Sequence, residues 1–211
     1  MSPSPLETAA PFIARLVAEL ERGAAPVFVA LDGRSGAGKS TMAAAVVETL
    51  GQQHGVTVTV IEGDQFYAGG SAATWDRRSV VERATHGIDW RRQRAALSEL
   101  RANGVAAWHP FDWDAPDWDA DVTPLQPEPI RSTIAPIVIL EGAYSARPEL
   151  HDLLDLRVLL DVATDLRRRQ LLAREGEEYR ADWESRWSAA EDHYFGTVMP
   201  PHRFDLVLRV D

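Results

Sequence analysis

The chain has 211 residues, 45% apolar and 26% charged, which fits one globular domain long enough to bury a core. With 32 acidic against 22 basic residues its formal charge is −10, the wrong sign for a nucleic-acid or anionic-membrane surface. Cysteine is absent, which excludes disulfides, thiolate metal sites and cysteine nucleophiles.

No stretch reaches membrane-spanning length, and the N-terminus lacks the basic start and unbroken apolar core of a secretory signal; a cytoplasmic protein is expected. Phe12, Ile13, Leu16, Val17 and Leu20 recur at helical spacing and predict an amphipathic helix over 6–22, ended by Gly23. Val27 to Leu31 reads as a buried strand, Lys39 to Leu50 as a helix, and "VTVTVIEGD" (56–64) as a second strand. Trp90 to Asn103 reads as a helix stopping at Gly104, with "VAAW" a short strand after it.

From Phe111 to Pro136 periodicity disappears, and five prolines with a run of Asp and Trp predict an irregular segment of the kind that carries function. "PIVILEG" (136–142) and "LRVLLDV" (156–162) are further strands, helices are expected over 164–175 and 182–195, and "DLVLRV" is a last strand. Strands alternating with helices, several of them continuous apolar runs, indicate a mainly parallel five-stranded sheet covered on both faces. The expected fold class is therefore α/β, a three-layer α/β/α sandwich with ligands at the carboxyl ends of its strands.

Between the first strand and its helix lies "GRSGAGKS" (Gly33 to Ser40), which matches the Walker A spacing of Gly, four residues, then Gly-Lys-Ser. Glycines let consecutive N–H groups turn inward onto phosphate oxygens, and the helix that starts there adds its positive end. Gly33, Ser35, Gly36, Ala37, Gly38, Lys39, Ser40 and Thr41 are the candidate nucleotide-binding residues. Lys39 can reach the β- and γ-phosphates of ATP, and Ser40 can place its hydroxyl on Mg²⁺. Glu141, directly after an apolar strand, is the second candidate for the metal, acting through water. Asp32 also ends a strand, but its position suits a hydrogen bond to the loop better than a metal contact.

"LDGRSGAGKST", "EGDQFY" and "ILEGAYSARPEL" together resemble the uridine kinase-like branch of P-loop kinases, which includes phosphoribulokinase and pantothenate kinase, from about Pro26 to Leu208. The resemblance implies one P-loop kinase domain over 1–211, with an acceptor-binding insertion near 66–130 and a small helical lid near 165–182. It implies ATP-dependent transfer to the hydroxyl of a nucleoside-like or other small alcohol. Asp64 matches the acid that acts on that hydroxyl; an Asp capping a strand end is the plainer alternative. Arg167 and Arg174, seven apart on one helical face, match the catalytic lid arginines, with Arg180 a looser match and Arg168 and Arg169 the alternatives. Tyr67, Asp89, Phe111, Asp112, Tyr144 and Arg147 are the candidate acceptor contacts. Phe111 stands where the family has Tyr, and "DAPDWDAD" where it has a Thr-His-Ser-Arg run, so the base-reading His is missing from its usual place. Five tryptophans (Trp75, Trp90, Trp108, Trp113, Trp118) could wall a pocket or anchor a core. The expected partners are ATP and a small-molecule alcohol, without nucleic acid or membrane and with room for a homodimer. A nucleotide-binding regulatory module with slow ATP hydrolysis is the reading from another class; a guanine-reading Asn-Lys-x-Asp motif is absent.

Overall fold

The computed structural model describes residues 5–116, 120–175 and 181–210; Trp118, Arg180 and the middle of the expected lid lie outside them. The first helix, α1 (Pro5–Glu21), leads into strand β1 (Val27–Asp32), buried at all six positions. Helix α2 (Lys39–His54) follows, then β2 (Val58–Glu62) and a short 3₁₀ turn over Gly63–Phe66. The insertion holds helices α3 (Ala72–Arg77), α4 (Val80–His86) and α5 (Trp90–Asn103), then strands β3 (Val105–Trp108) and β4 (Ile130–Thr133). The chain ends with β5 (Ile137–Glu141), β6 (Leu156–Val162), α6 (Thr164–Glu175), α7 (Ala181–His193), a π turn over Tyr194–Val198, and β7 (Leu206–Val210).

Five parallel strands form the sheet in the order β2-β5-β1-β6-β7. Alternate residues of the central strands enter two different cores. Phe28, Ala30, Val138 and Leu140 join the side packed by α5, whereas Val27, Val29, Leu31, Ile137 and Ile139 join the side packed by α1 and α2. A strand buried on both faces must be apolar at every position, which is why β1 and β5 read as unbroken runs. Among the described residues no helix is long and apolar enough to cross a membrane.

Three features differ from the sequence expectation. The segment 111–136 is not wholly irregular: β4 pairs antiparallel with β3, making a separate two-stranded ribbon beside the main sheet. Helices α3 and α4 occupy a region read without elements; Ser71 and Ser79 cap them, and Ser79 with Glu82 completes a capping box. Asp64 accordingly sits in the 3₁₀ turn rather than on β2, which ends at Glu62.

The loop between β1 and α2 is pressed against α6. A Cβ on Gly36 would lie 2.6 Å from Leu171 Cγ and 2.7 Å from the Arg167 carbonyl oxygen, and its φ of +75° already favours glycine. Gly51, by contrast, lies within α2 with open space where a Cβ would be. Gly36→Ala should therefore lose about 1–3 kcal/mol of stability, while Gly51→Ala gains about 0.5–1 kcal/mol. Denaturant unfolding of both variants checks this; equal shifts would contradict the packing described.

Candidate active site

Strand register builds the site. In β5, Glu141 lies opposite Leu31 of β1 on one side and Glu62 of β2 on the other. The residues that follow each strand therefore emerge level: the Gly33–Ser40 loop from β1, Asp64 two residues past β2, and Glu141 between them. The approach is close enough to need glycine. A Cβ on Gly63 would lie 2.9 Å from the Glu141 carbonyl oxygen, and one on Gly142 would lie 3.0 Å from Gly63 Cα.

These groups share a cavity of about 640 Å³, lined by the loop from Ser35 to Thr41 together with Asp64, Glu141 and Arg174. Gly38 caps α2 in the left-handed region at φ +85°, and nothing stands within 4 Å of where its Cβ would be. The loop backbone thus faces open space at the start of a 16-residue helix, the arrangement that receives phosphate oxygens. Lys39 Nζ donates to the Arg34 carbonyl oxygen at 3.1 Å, and Ser40 Oγ donates to Glu141 Oε1 at 3.0 Å.

The charge balance is set by burial. Desolvation pushes the Glu141 carboxyl above its usual range and the neighbouring Asp64 charge adds to this, while Lys39 and the Ser40 hydroxyl pull it back. Asp64 itself is exposed to the cavity. Among the described residues no group of three or more His, Asp or Glu side chains could hold a metal ion. The donor set of one hydroxyl and one carboxylate suits Mg²⁺, which takes few protein oxygens and completes its shell with phosphate and water.

Asp32 faces away from the cavity and holds the loop, as expected. Its Oδ1 accepts from the N–H groups of Gly33 and Tyr144 at 2.8 and 2.9 Å; its Oδ2 accepts from Ala146 N–H and the Tyr194 hydroxyl, both at 2.9 Å. Helix α7 holds the same loop from outside. Glu191 Oε1 accepts from Ser35 N–H and Oγ, and Asp192 pairs with Arg34. Sequence reading missed these two acids; their signal, "AED" closing a helix, is indistinguishable from a solvated helix end.

The remaining candidates are divided. Arg174 reaches the cavity, but Arg167 is turned beneath the loop, where its Nη1 donates to the Ser35 carbonyl oxygen at 3.1 Å and its Nε to that of Val162 at 3.3 Å. Arg168 pairs with Glu184, and Arg169 is exposed. Asp89 caps α5 by accepting from the N–H groups of Arg91 and Arg92, and lines a separate cavity of about 440 Å³ with Arg78, His86 and Trp90.

Tyr67 and Phe111 are buried in an aromatic cluster, edge-on at 5.0 Å, with Trp113 stacked on Tyr67. Trp75 and Trp187 extend the cluster, and Trp108 stacks on Phe66 nearby. Asp112 Oδ1 closes a turn by accepting from Asp114 N–H. Arg147 is 4% exposed, paired with Glu149 and donating to the Thr85 carbonyl oxygen; Tyr144 is buried at φ +68°, edge-on to Tyr194. Gln93, beside Gly63, is 1% exposed and leaves both amide atoms without a partner among the described residues.

A parallel sheet with a phosphate-binding loop at its first strand, and an acid ending the strand beside it, defines a P-loop kinase fold. The Phosphoribulokinase / Uridine kinase family model matches residues 28–191, and the chain belongs to that family. A uridine kinase of Alkaliphilus metalliredigens is 27% identical over 182 residues, covering 84% of this chain and 79% of that protein. The structure of a possible uridine kinase from Bacillus stearothermophilus superposes with a TM-score of 0.62 at 18% identity, over 93% of this chain and 98% of the other. D-glycerate 3-kinase from Cryptococcus neoformans superposes at 0.60 with 12% identity, over 90% and 86%. Both likenesses concern the fold.

Burial raises the Asp32 carboxyl from 3.8 to about 6, against the hydrogen bonds from Ala146, Tyr194 and Gly33 and the Lys39 charge, which pull it down. The folded chain then holds this proton to higher pH than the unfolded chain, so stability from this group falls as pH rises from about 4 to about 6. The stability gap between the protein and Asp32→Asn should narrow by up to about 3 kcal/mol between pH 4 and pH 7. Urea unfolding across that range reads the gap; a gap that widens with pH would contradict the assignment.

Proposed function

We propose that the protein is an ATP-dependent kinase that transfers the γ-phosphate to a hydroxyl of a small alcohol, nucleoside-like or another polyol. The observation that carries this reading is the convergence of Lys39, the Ser40–Glu141 pair and exposed Asp64 on one cavity. The loop amides and Lys39 bind the triphosphate, and Ser40 and Glu141 are the residues that would hold Mg²⁺. When bound, that ion would supply positive charge against the phosphates.

Asp64 takes the proton of the acceptor hydroxyl as its oxygen bonds to the γ-phosphorus and the bond to the β-phosphate oxygen breaks, leaving ADP. Arg174, at the same cavity, stabilises charge on the transferring group. Arg167 serves this chemistry indirectly, by supporting Ser35. Family membership supports phosphotransfer, and relatives named uridine kinase support a nucleoside-like acceptor. The departures at Phe111 and "DAPDWDAD" support one other than uridine, because a site without its hydrogen-bonding base reader loses its main means of discrimination.

Asp64→Asn should keep MgATP affinity within about threefold and lower acceptor-dependent ADP formation by about 10²–10⁴-fold. Calorimetry and a coupled ADP assay over nucleosides, sugars and acid alcohols measure both. Near-normal turnover in the variant would remove Asp64 from its role. ATP binding with no acceptor-dependent turnover from any alcohol would favour the regulatory-module reading.

A further inference from the structure

Helix α7 meets the phosphate loop through one buried acid. Glu191 is 3% exposed, and its Oε1 accepts from Ser35 N–H at 2.7 Å and from Ser35 Oγ at 2.6 Å. That N–H belongs to the same peptide unit as the Arg34 carbonyl. A trans peptide is planar with its N–H and C=O pointing in opposite directions, so drawing the N–H toward Glu191 turns the Arg34 carbonyl the other way. This carbonyl oxygen is the one that accepts from Lys39 Nζ at 3.1 Å.

Neighbouring contacts make the orientation hard to reverse. Asp192 holds the Arg34 guanidinium at 2.6 Å, and Arg167 donates to the Ser35 carbonyl oxygen at 3.1 Å, fixing the next peptide unit as well. Arg167 comes from α6, which lies within the expected lid, and the two acids from α7, which follows it, so both helices grip one turn of the loop.

We infer that Glu191 is a positioning residue for the transfer proposed above: through the 34–35 peptide it sets where the Lys39 ammonium points, and it ties the helix after the lid to the phosphate cradle. The inference rests on the kinase reading. Glu191 touches neither nucleotide nor acceptor, and its effect runs through Lys39.

The test is a double-mutant cycle on the full chain, reading MgADP affinity by calorimetry and folding by the unfolding midpoint. Glu191→Ala should weaken MgADP by about tenfold or more, while Glu191→Gln, which keeps an oxygen facing the Ser35 N–H, stays within about threefold. In the Lys39→Ala background Glu191→Ala should add less than about twofold, since the interaction it supports is already gone. Glu191→Asp, which shortens the side chain by one carbon and draws the carboxylate back from the Ser35 N–H, supplies a milder cycle should Glu191→Ala fail to fold, with the same non-additivity expected. Unchanged affinity in Glu191→Ala, or full additivity with Lys39→Ala in either cycle, overturns the inference while leaving the kinase reading intact. Unmutated protein that binds no MgADP overturns the kinase reading, and this inference with it.

Discussion

A single buried carboxylate ties together three stretches of chain at the start of the phosphate loop. Asp32 ends β1 and accepts from the first residue of the phosphate loop, from two residues of the turn after β5, and from a tyrosine just beyond α7. All four partners are donors, so the group meets their demand when ionised, and burial is the cost of that placement. Because bonds in a dry interior are strong and directional, the arrangement determines where the loop begins. It also fixes Tyr144 in a backbone conformation that non-glycine residues rarely adopt, tying the turn after Glu141 to the loop.

From that anchor the site follows by register. Adjacent parallel strands bring their carboxyl ends level, and glycines at 63 and 142 let two turns approach backbone to backbone. Few charges are then needed. One lysine, one hydroxyl–carboxylate pair, one exposed aspartate and Arg174 face a cavity whose remaining lining is mainly the phosphate loop and apolar residues, in keeping with a family whose chemistry depends on positioning and electrostatics. A formally acidic protein can bind a polyanion here because the binding charge is local: peptide dipoles at a helix start and one ammonium.

Legibility from sequence tracked the range of the interactions. The phosphate loop could be read because its requirements lie within eight consecutive residues, β1 and β5 because strands buried on both faces are near-continuous apolar runs, and β6 because Val158, Leu159 and Leu160 form an apolar centre. Of the β3–β4 ribbon only β3 was legible, as "VAAW"; β4 follows more than twenty residues later, and "IRST" carries no apolar pattern of its own. Helices α3 and α4 left a readable trace in the Ser79–Glu82 capping box, but each is too short to show periodicity. Within the site, Lys39, Ser40, Asp64 and Glu141 converge as their motifs suggested. Arg167 and Arg174 share a helical face by spacing alone, yet the loop packed against α6 takes up Arg167 and leaves Arg174 at the cavity. The Glu191–Ser35 contact spans 156 residues and has no local signature at all.

Nucleotide binding by this fold depends on backbone amides of the turn from Gly36 to Thr41 receiving the phosphates. Amide hydrogen exchange with and without MgADP tests this most directly. Exchange at Gly36 through Thr41 should slow by about tenfold or more on nucleotide addition, with no comparable change in the β3–β4 ribbon. Unaltered exchange in that turn, under conditions where calorimetry shows the nucleotide bound, would contradict the account.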